Sequence, residues 1–443
     1  MSEPRRRQLK IQQERALLVG VILPTSDYDA HDPLGELRSL VKSAGAKVVD
    51  EMVAKRAAVH PGLYVGTGKA EQIADRCEQN DVDVVVFDND LSPAQVRDLE
   101  KIIDRKVLDR SEVILDIFAS HARTHEASLQ VELAQLEYTY PRLRRMWTHL
   151  ERVAGGATTA AAAVGGIGTR GPGEKQLETD RRLVQRRVSQ LKRRIVAIDR
   201  RKQRLVRSRG DQFLVCLVGY TNAGKSTLMN LFTGAGVLVA DQLFATLDTR
   251  TRRWNLGDGQ AALLSDTVGF VRNLPHHLVA SFRATLEEAI GADLLLHVAD
   301  ASHAQVLSQI EAVREVLEEL GCGQKDQLLL LNKTDLLRDP SVRTVLSRRY
   351  PEALPTSAST GENAEEVISA VVRRVRGPQV RVTIEADCGN GKLMEYLSRY
   401  ARVDARTFVG SSVRMEATLA RKRLAALRSF GRAVKVRLEE QAV

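Results

Sequence analysis

The sequence is poor in cysteine, in aromatic residues and in long apolar runs. Its four cysteines, Cys77, Cys216, Cys322 and Cys388, are far apart and form no C-x-x-C pair. Neither a zinc site nor a disulfide framework is indicated, and a reducing cytosol fits best. The longest apolar run near the start, "ALLVGVILP" at residues 16 to 24, is half the length of a membrane span, and no small-residue cleavage pattern follows it. It reads as a buried first strand, preceded by a basic tail expected to be disordered, "MSEPRRRQLK". No repeat with a period of 20 to 50 residues is visible. The aromatic share, 4%, is the one unusual value in a composition that is otherwise globular, with 43% apolar and 28% charged residues.

The length of 443 residues predicts two to four domains. A net charge of +10 and a pI near 9.5 point to an anionic partner, most plausibly nucleic acid. Residues 17 to 110 alternate apolar runs with helical stretches, which predicts a small α/β domain with a largely parallel sheet. The turn "GTGK" (66 to 69) lacks the longer glycine-to-lysine spacing of a phosphate loop and reads as a plain strand-to-helix turn.

From residue 129 the pattern changes. Leu129, Leu133, Leu136, Tyr140, Leu143, Trp147 and Leu150 form one helical seam, with Pro141 expected to kink it. Val184, Val188, Leu191, Ile195, Ile198, Lys202 and Leu205 form a second. Two seams joined by a loop predict an antiparallel helical hairpin. The joining segment carries seven glycines between Gly155 and Gly173, which prevents continuous helix. Residues 181 to 209 hold thirteen Lys or Arg against Asp199 alone, a density that favours binding a nucleic-acid backbone. After Gly377-Pro378, a strand-helix-strand-strand-helix-strand rhythm predicts a small α+β sandwich. The expected parts are therefore 1–128 (α/β), 129–209 (basic hairpin), 210–376 (P-loop domain) and 377–443 (α+β).

The chemistry lies in "FLVCLVGYTNAGKSTLMN", residues 213 to 230, where G-x-x-x-x-G-K-S runs from Gly219 to Ser226 between an apolar strand and a helical stretch. Gly219 and Gly224 let the backbone wrap phosphates, and the amides from Asn222 through Ala223 to Ser226 donate to them. Lys225 reaches the terminal phosphates, and Ser226 offers its hydroxyl to magnesium. "LLSDTVG" ends a strand with Asp266, placed to hold the metal through water, and sets the Gly269 amide beside the γ-phosphate. "LLLLNKTD" ends another with Asn332, Lys333, Thr334 and Asp335; a carboxylate there accepts from two guanine donors that adenine lacks. "PTSAS" adds Ser357, Ala358 and Ser359 near the guanine oxygen. In this order the elements select GTP over ATP. Between Ser226 and Asp266, Thr246, Thr249 and Thr251 compete for the switch I threonine that closes over magnesium.

Phe270 stands directly after Gly269, where many GTPases keep a glutamine that orients the attacking water. Its ring cannot polarise water, so hydrolysis is expected to be slow alone and to await a partner. The bland alternative is that Phe270 packs beneath switch II while another residue positions the water.

"YVGTGKAEQI", "GGIGTRGPGEKQLETDRR", "GYTNAGKSTLMN", "DQLFATLDTRTRR", "DTVGFVRNLP" and "NKTD" together resemble the HflX family of translational GTPases over nearly the full length. The resemblance implies that "FATLD" supplies the switch I threonine, Thr246, within a segment Phe244, Ala245, Thr246, Leu247, Asp248. It extends the candidate nucleotide set to Tyr220, Thr221, Thr227, Thr267 and Val268, with Lys225, Thr246 and Gly269 in catalysis and Ser226, Thr246 and Asp266 around the metal. It also implies a stress-responsive protein that binds the large ribosomal subunit and its rRNA through residues 155–209 and splits stalled or idle ribosomes; a cytoplasmic location follows from the cysteine usage, and a monomer is the default expectation. The alanine-rich residues 157–164 and Lys175 depart from the family pattern, as does the lack of a proline after Asp248. Two other functions share these residues: assistance to large-subunit assembly, and RNA remodelling with a structural nucleotide.

Overall fold

The computed structural model describes residues 13–24, 28–29, 31–155, 182–198, 212–234, 236, 243–244, 249–257, 260–272, 286–337, 339–377, 379–431 and 434–438. The chain forms two compact units, Met1–Arg253 with Leu263–Gly361, and Trp254–Ala262 with Glu362–Val443. The basic tail, the glycine-rich segment and the Thr246 segment lie outside the described residues.

The first unit begins with β1 (Arg15–Ile22), α1 (Gly35–Ser43), β2 (Lys47–Lys55), α2 (Thr67–Gln79), β3 (Val84–Phe87), α3 (Pro93–Ile103), β4 (Lys106–Asp109) and α4 (Arg110–His121). Its sheet has the order β2-β1-β3-β4 and is wholly parallel. That explains why β1 and β3 read as near-continuous apolar runs: both faces are covered by helices. Helix α3 starts at a capping box, with Ser92 and Gln95 satisfying each other's backbone amides and Pro93 opening the first turn. The "GTGK" turn leads into α2, where Gly66 adopts φ 95° and the Arg56 guanidinium donates to the Val65 carbonyl.

Helix α5 (His125–Gly155) runs on through Pro141, and α6 covers 182–198. Leu129 and Leu133 pack against Leu191 and Ile195, joined by Leu136, Val188 and Ile198, so the two seams meet as predicted over the described side chains. Those of Leu143, Trp147, Leu150, Lys202 and Leu205 fall outside them.

The P-loop domain adds β5 (Phe213–Gly219), α7 (Lys225–Thr233), β6 (Arg250–Gly257), β7 (Gln260–Asp266), α8 (Glu287–Gly291), β8 (Leu294–Asp300), α9 (Val306–Glu319), β9 (Asp326–Asn332), α10 (Pro340–Arg349) and β10 (Leu354–Pro355). The six-stranded sheet has the order β10-β9-β8-β5-β7-β6, and β5, β8, β9 and β10 are parallel. One hydrophobic core joins both sheets of this unit: Ile117, Phe118 and Val131 cluster with Cys216, Val218, Phe244 and Phe270.

The second unit contains α11 (Ala364–Arg376), β11 (Gln379–Asp387), α12 (Gly391–Tyr400), β12 (Ala401–Val409), β13 (Ser412–Ala420), α13 (Leu424–Leu427) and β14 (Lys435–Leu438). The antiparallel order β12-β13-β11-β14 is a split βαβ arrangement, a small α+β fold of the predicted rhythm. It buries Val382, Ile384, Leu393, Leu397 and Met415.

Candidate nucleotide site

The loop after β5 reverses direction tightly, and two of its glycines are sterically required. At Gly219 (φ 149°) a Cβ would lie 2.1 Å from the Val298 carbonyl oxygen; at Gly224 (φ 92°) it would lie 2.2 Å from Asn332 Nδ2. Lys225 opens α7 and is buried, its ammonium donating to the Gly219 and Tyr220 carbonyls at 3.1 and 2.8 Å. Burial lowers its pKa from 10.5 to about 8, although the Asp266 charge works in the opposite direction.

Ser226 donates to Asp266 Oδ2 at 2.6 Å, and the Asp266 carboxylate is fully buried at the end of β7. A serine hydroxyl beside one carboxylate suits magnesium, which takes few protein oxygens and completes its shell with phosphates and water. Among the described residues no cluster of three His, Cys, Asp or Glu could hold a metal by itself. Thr267 is committed to structure, its hydroxyl donating to the Leu217 carbonyl at 2.7 Å.

At the other end of the site, Asn332 ties two loops together. Its amide donates to the Ala223 carbonyl at 2.8 Å and its carbonyl accepts from the Ala358 amide at 3.0 Å. Lys333, in the left-handed region with φ 64°, pairs with Asp300 at 2.7 Å, and Thr334 donates to the Thr356 carbonyl. Asp335 accepts from Ser357 at 2.6 Å and from Ser359 at 3.1 Å. Those hydroxyls, Ser357 first, hold its carboxyl below the ordinary carboxylate range. Both serines predicted from "PTSAS" thus converge on the acid of "NKTD".

Phe270 is buried in the shared core, and its backbone bridges the P-loop: its amide donates to Gly219 O at 3.1 Å and its carbonyl accepts from the Thr221 amide at 2.7 Å. The ring is therefore packed, as in the bland alternative. Phe244, of the expected nucleotide segment, buries its ring in the core: the ring meets Phe118 edge-on, with centroids 4.6 Å apart. The shared apolar core holds it there.

A partly buried polar network, with no counterpart in the sequence motifs, joins this loop to the N-terminal sheet. The Tyr220 hydroxyl donates to Glu36 at 2.6 Å and accepts from the Arg272 amide at 2.5 Å. Arg110 pairs with Asp88 at 2.7 Å and Glu36 at 2.9 Å, and donates to the Arg272 carbonyl at 3.1 Å. Burial alone would raise the Glu36 pKa; Arg110, Tyr220 and Arg272 outweigh it and hold the carboxyl low. Asp300 was likewise missed. No sequence signal distinguishes these charges from solvated ones, since each finds its partner tens to hundreds of residues away.

On the basic hairpin, Arg187 and Lys192 pair with Glu132 and Glu137 of α5 at 2.6 and 2.8 Å. Among the described residues no helix is long and apolar enough to cross a membrane.

Three family models match in succession: a GTP-binding GTPase N-terminal region over residues 31–119, a GTP-binding GTPase middle region over 121–209 and a 50S ribosome-binding GTPase over 214–333. The chain is 45% identical to GTPase HflX of Escherichia coli, covering 88% of this chain and 89% of that one. It is 46% identical to GTPase HflX of Lacrimispora saccharolytica, covering 84% and 86%. Among solved structures, a GTP-binding protein from the archaeon Sulfolobus solfataricus in complex with GDP aligns at 23% identity over 82% of this chain and 99% of that one, with a TM-score of 0.41. The P-loop geometry and the extent of these matches lead to one conclusion: the chain belongs to the HflX family of GTPases and is a GTP hydrolase.

Proposed function

We propose that this GTPase binds the large ribosomal subunit and separates stalled or idle ribosomes, with bound GTP favouring the ribosome-bound state and hydrolysis releasing it. The observation that carries this reading is the continuous core and polar network joining the P-loop to the N-terminal sheet, which gives a nucleotide-dependent loop a direct mechanical partner. The relatives' names and the 50S ribosome-binding description of the matching family model support the choice of partner. The basic face of α6 and the glycine-rich segment supply the contact to rRNA.

In this reading the amides from Asn222 to Ser226 hold the phosphates, with Lys225 at the terminal pair and the Gly269 amide at the γ-phosphate. Asp335, oriented by Ser357 and Ser359, accepts from guanine, and the Ala358 backbone lies near its carbonyl oxygen. Ser226, Thr246 and, through water, Asp266 would hold magnesium, which neutralises charge on the phosphates. Hydrolysis is slow until the ribosome orders the switches, because Phe270 offers no group to the attacking water.

Turnover of GTP by the purified protein, with and without large ribosomal subunits, tests the reading. Strong stimulation is expected, and deletion of residues 155–173 should abolish splitting while nucleotide binding persists. Equal rates with and without subunits, or splitting unchanged by the deletion, would refute it.

A further inference from the structure

With Phe270 packed in the core, the site still needs a group that handles the attacking water. The hydroxyls around the P-loop are mostly committed. Ser226 is bonded to Asp266, Thr267 to the Leu217 carbonyl and Tyr220 to Glu36. Thr221 differs. The residue is buried, with 7% of its surface exposed, and its Oγ1 has no hydrogen-bond partner among the described residues. A buried hydroxyl that makes no hydrogen bond costs stability, and a catalytic role is one of the reasons such a group is kept.

Its position supplies one. Thr221 is the third residue of G-Y-T-N-A-G-K-S, and its amide is held by the Phe270 carbonyl at 2.7 Å. A Cβ built on Gly269 would lie 2.7 Å from Thr221 Cα, 2.8 Å from Thr221 Cγ2 and 2.9 Å from Lys225 Nζ. Thr221 therefore borders, through its Cα and methyl group, the same small space as the phosphate-reaching lysine and the glycine assigned to the γ-phosphate, and a χ1 rotation between staggered rotamers brings its hydroxyl to that side. The backbone bridge that turns Phe270 away is the one that fixes Thr221.

We infer that Thr221 is a catalytic residue: its hydroxyl accepts a hydrogen bond from the attacking water and donates to a γ-phosphoryl oxygen, doing from the P-loop what a glutamine after the switch II glycine does elsewhere. The water oxygen forms a bond to the γ-phosphorus as the bond to the β–γ bridging oxygen breaks, and that electron pair leaves with GDP. The water proton passes to a γ-phosphoryl oxygen, yielding inorganic phosphate. Thr221 is unchanged; it orients and is not a base. The inference rests on the nucleotide-site assignments above and is independent of the ribosomal partner.

The test is single-turnover hydrolysis of GTP with magnesium by the full-length protein without ribosomes, alongside affinity for a fluorescent GDP analogue. Thr221→Val keeps the shape and removes the hydroxyl; it should slow hydrolysis by about 100-fold, the usual loss for one positioned hydrogen-bonding group, while GDP affinity holds. Thr221→Ser should recover most of the rate. Wild-type hydrolysis by the valine variant would overturn the inference, as would a serine variant as slow as the valine one. If the valine variant fails to bind GDP, Thr221→Ala is read by the same criteria; loss of binding in both would assign the residue to binding and overturn the catalytic role. Failure of ribosomal stimulation in the wild type bears on the proposed partner alone.

Discussion

The first unit carries a wholly parallel N-terminal sheet and the parallel strands β5, β8, β9 and β10 of the P-loop domain, and the carboxyl edges of the two have opposite fates. At the end of β5 the chain is bare backbone, with Gly219 and Gly224 against neighbouring atoms where no Cβ fits. At the matching edge of the N-terminal sheet the protein fills the space with its own polar side chains. Asn89 bonds both the amide and the carbonyl of Val21, Arg110 bonds Asp88, and Ser111 bonds Asp90. Open α/β sheets offer a ligand crevice at this edge. The difference teaches that the edge becomes a phosphate site when glycine keeps it open, and an internal joint when side chains close it.

Three changes would break or sharpen that contrast. The largest effect is expected at the open edge. Lys225→Ala should lower GTP hydrolysis by two to three orders of magnitude, and retained ribosome splitting in this variant would instead favour a pure RNA binder. At the closed edge, Arg110→Met removes the buried cation that the largely buried Asp88 and Glu36 share, leaving Arg272, 3.6 Å from Glu36, as the nearest remaining charge. A loss of about 3–5 kcal/mol in stability by chemical denaturation is expected; a loss under about 1 kcal/mol would mean that water reaches the pair.

The smallest effect concerns protons. Burial lowers the Lys225 pKa to about 8, so its charged fraction falls as pH rises past that value, whereas phosphates favour the charged form. GDP affinity should therefore hold below pH 8 and decline above it by at most about tenfold per pH unit, with proton uptake on binding visible by calorimetry in two buffers. A flat profile from pH 7 to 9.5 would show that the lysine stays charged without a phosphate.

What was legible in the sequence follows from the same contrast. The P-loop, "DTVG", "NKTD" and "PTSAS" are contiguous strings because each sits at a strand end and uses local backbone geometry. The hairpin seam was legible because helical periodicity repeats the contact. The joint was not: Glu36, Asp88, Arg110, Tyr220 and Arg272 meet only through the tertiary fold, and their sequence neighbours resemble those of any solvated charge. The direction of the Phe244 ring was not legible for a related reason. A motif locates a segment along the chain, whereas the rotamer that sends its ring onto Phe118 depends on a helix more than a hundred residues earlier.

Asn332 holds the Ala223 carbonyl with one end of its amide and the Ala358 nitrogen with the other. The two halves of the pocket therefore share a single rivet, and their contributions to affinity should be coupled rather than independent. Guanosine and inorganic triphosphate, offered separately, should each have to organise both loops for the sake of one. The intact nucleotide organises them once, so its free energy of binding should exceed what its fragments suggest.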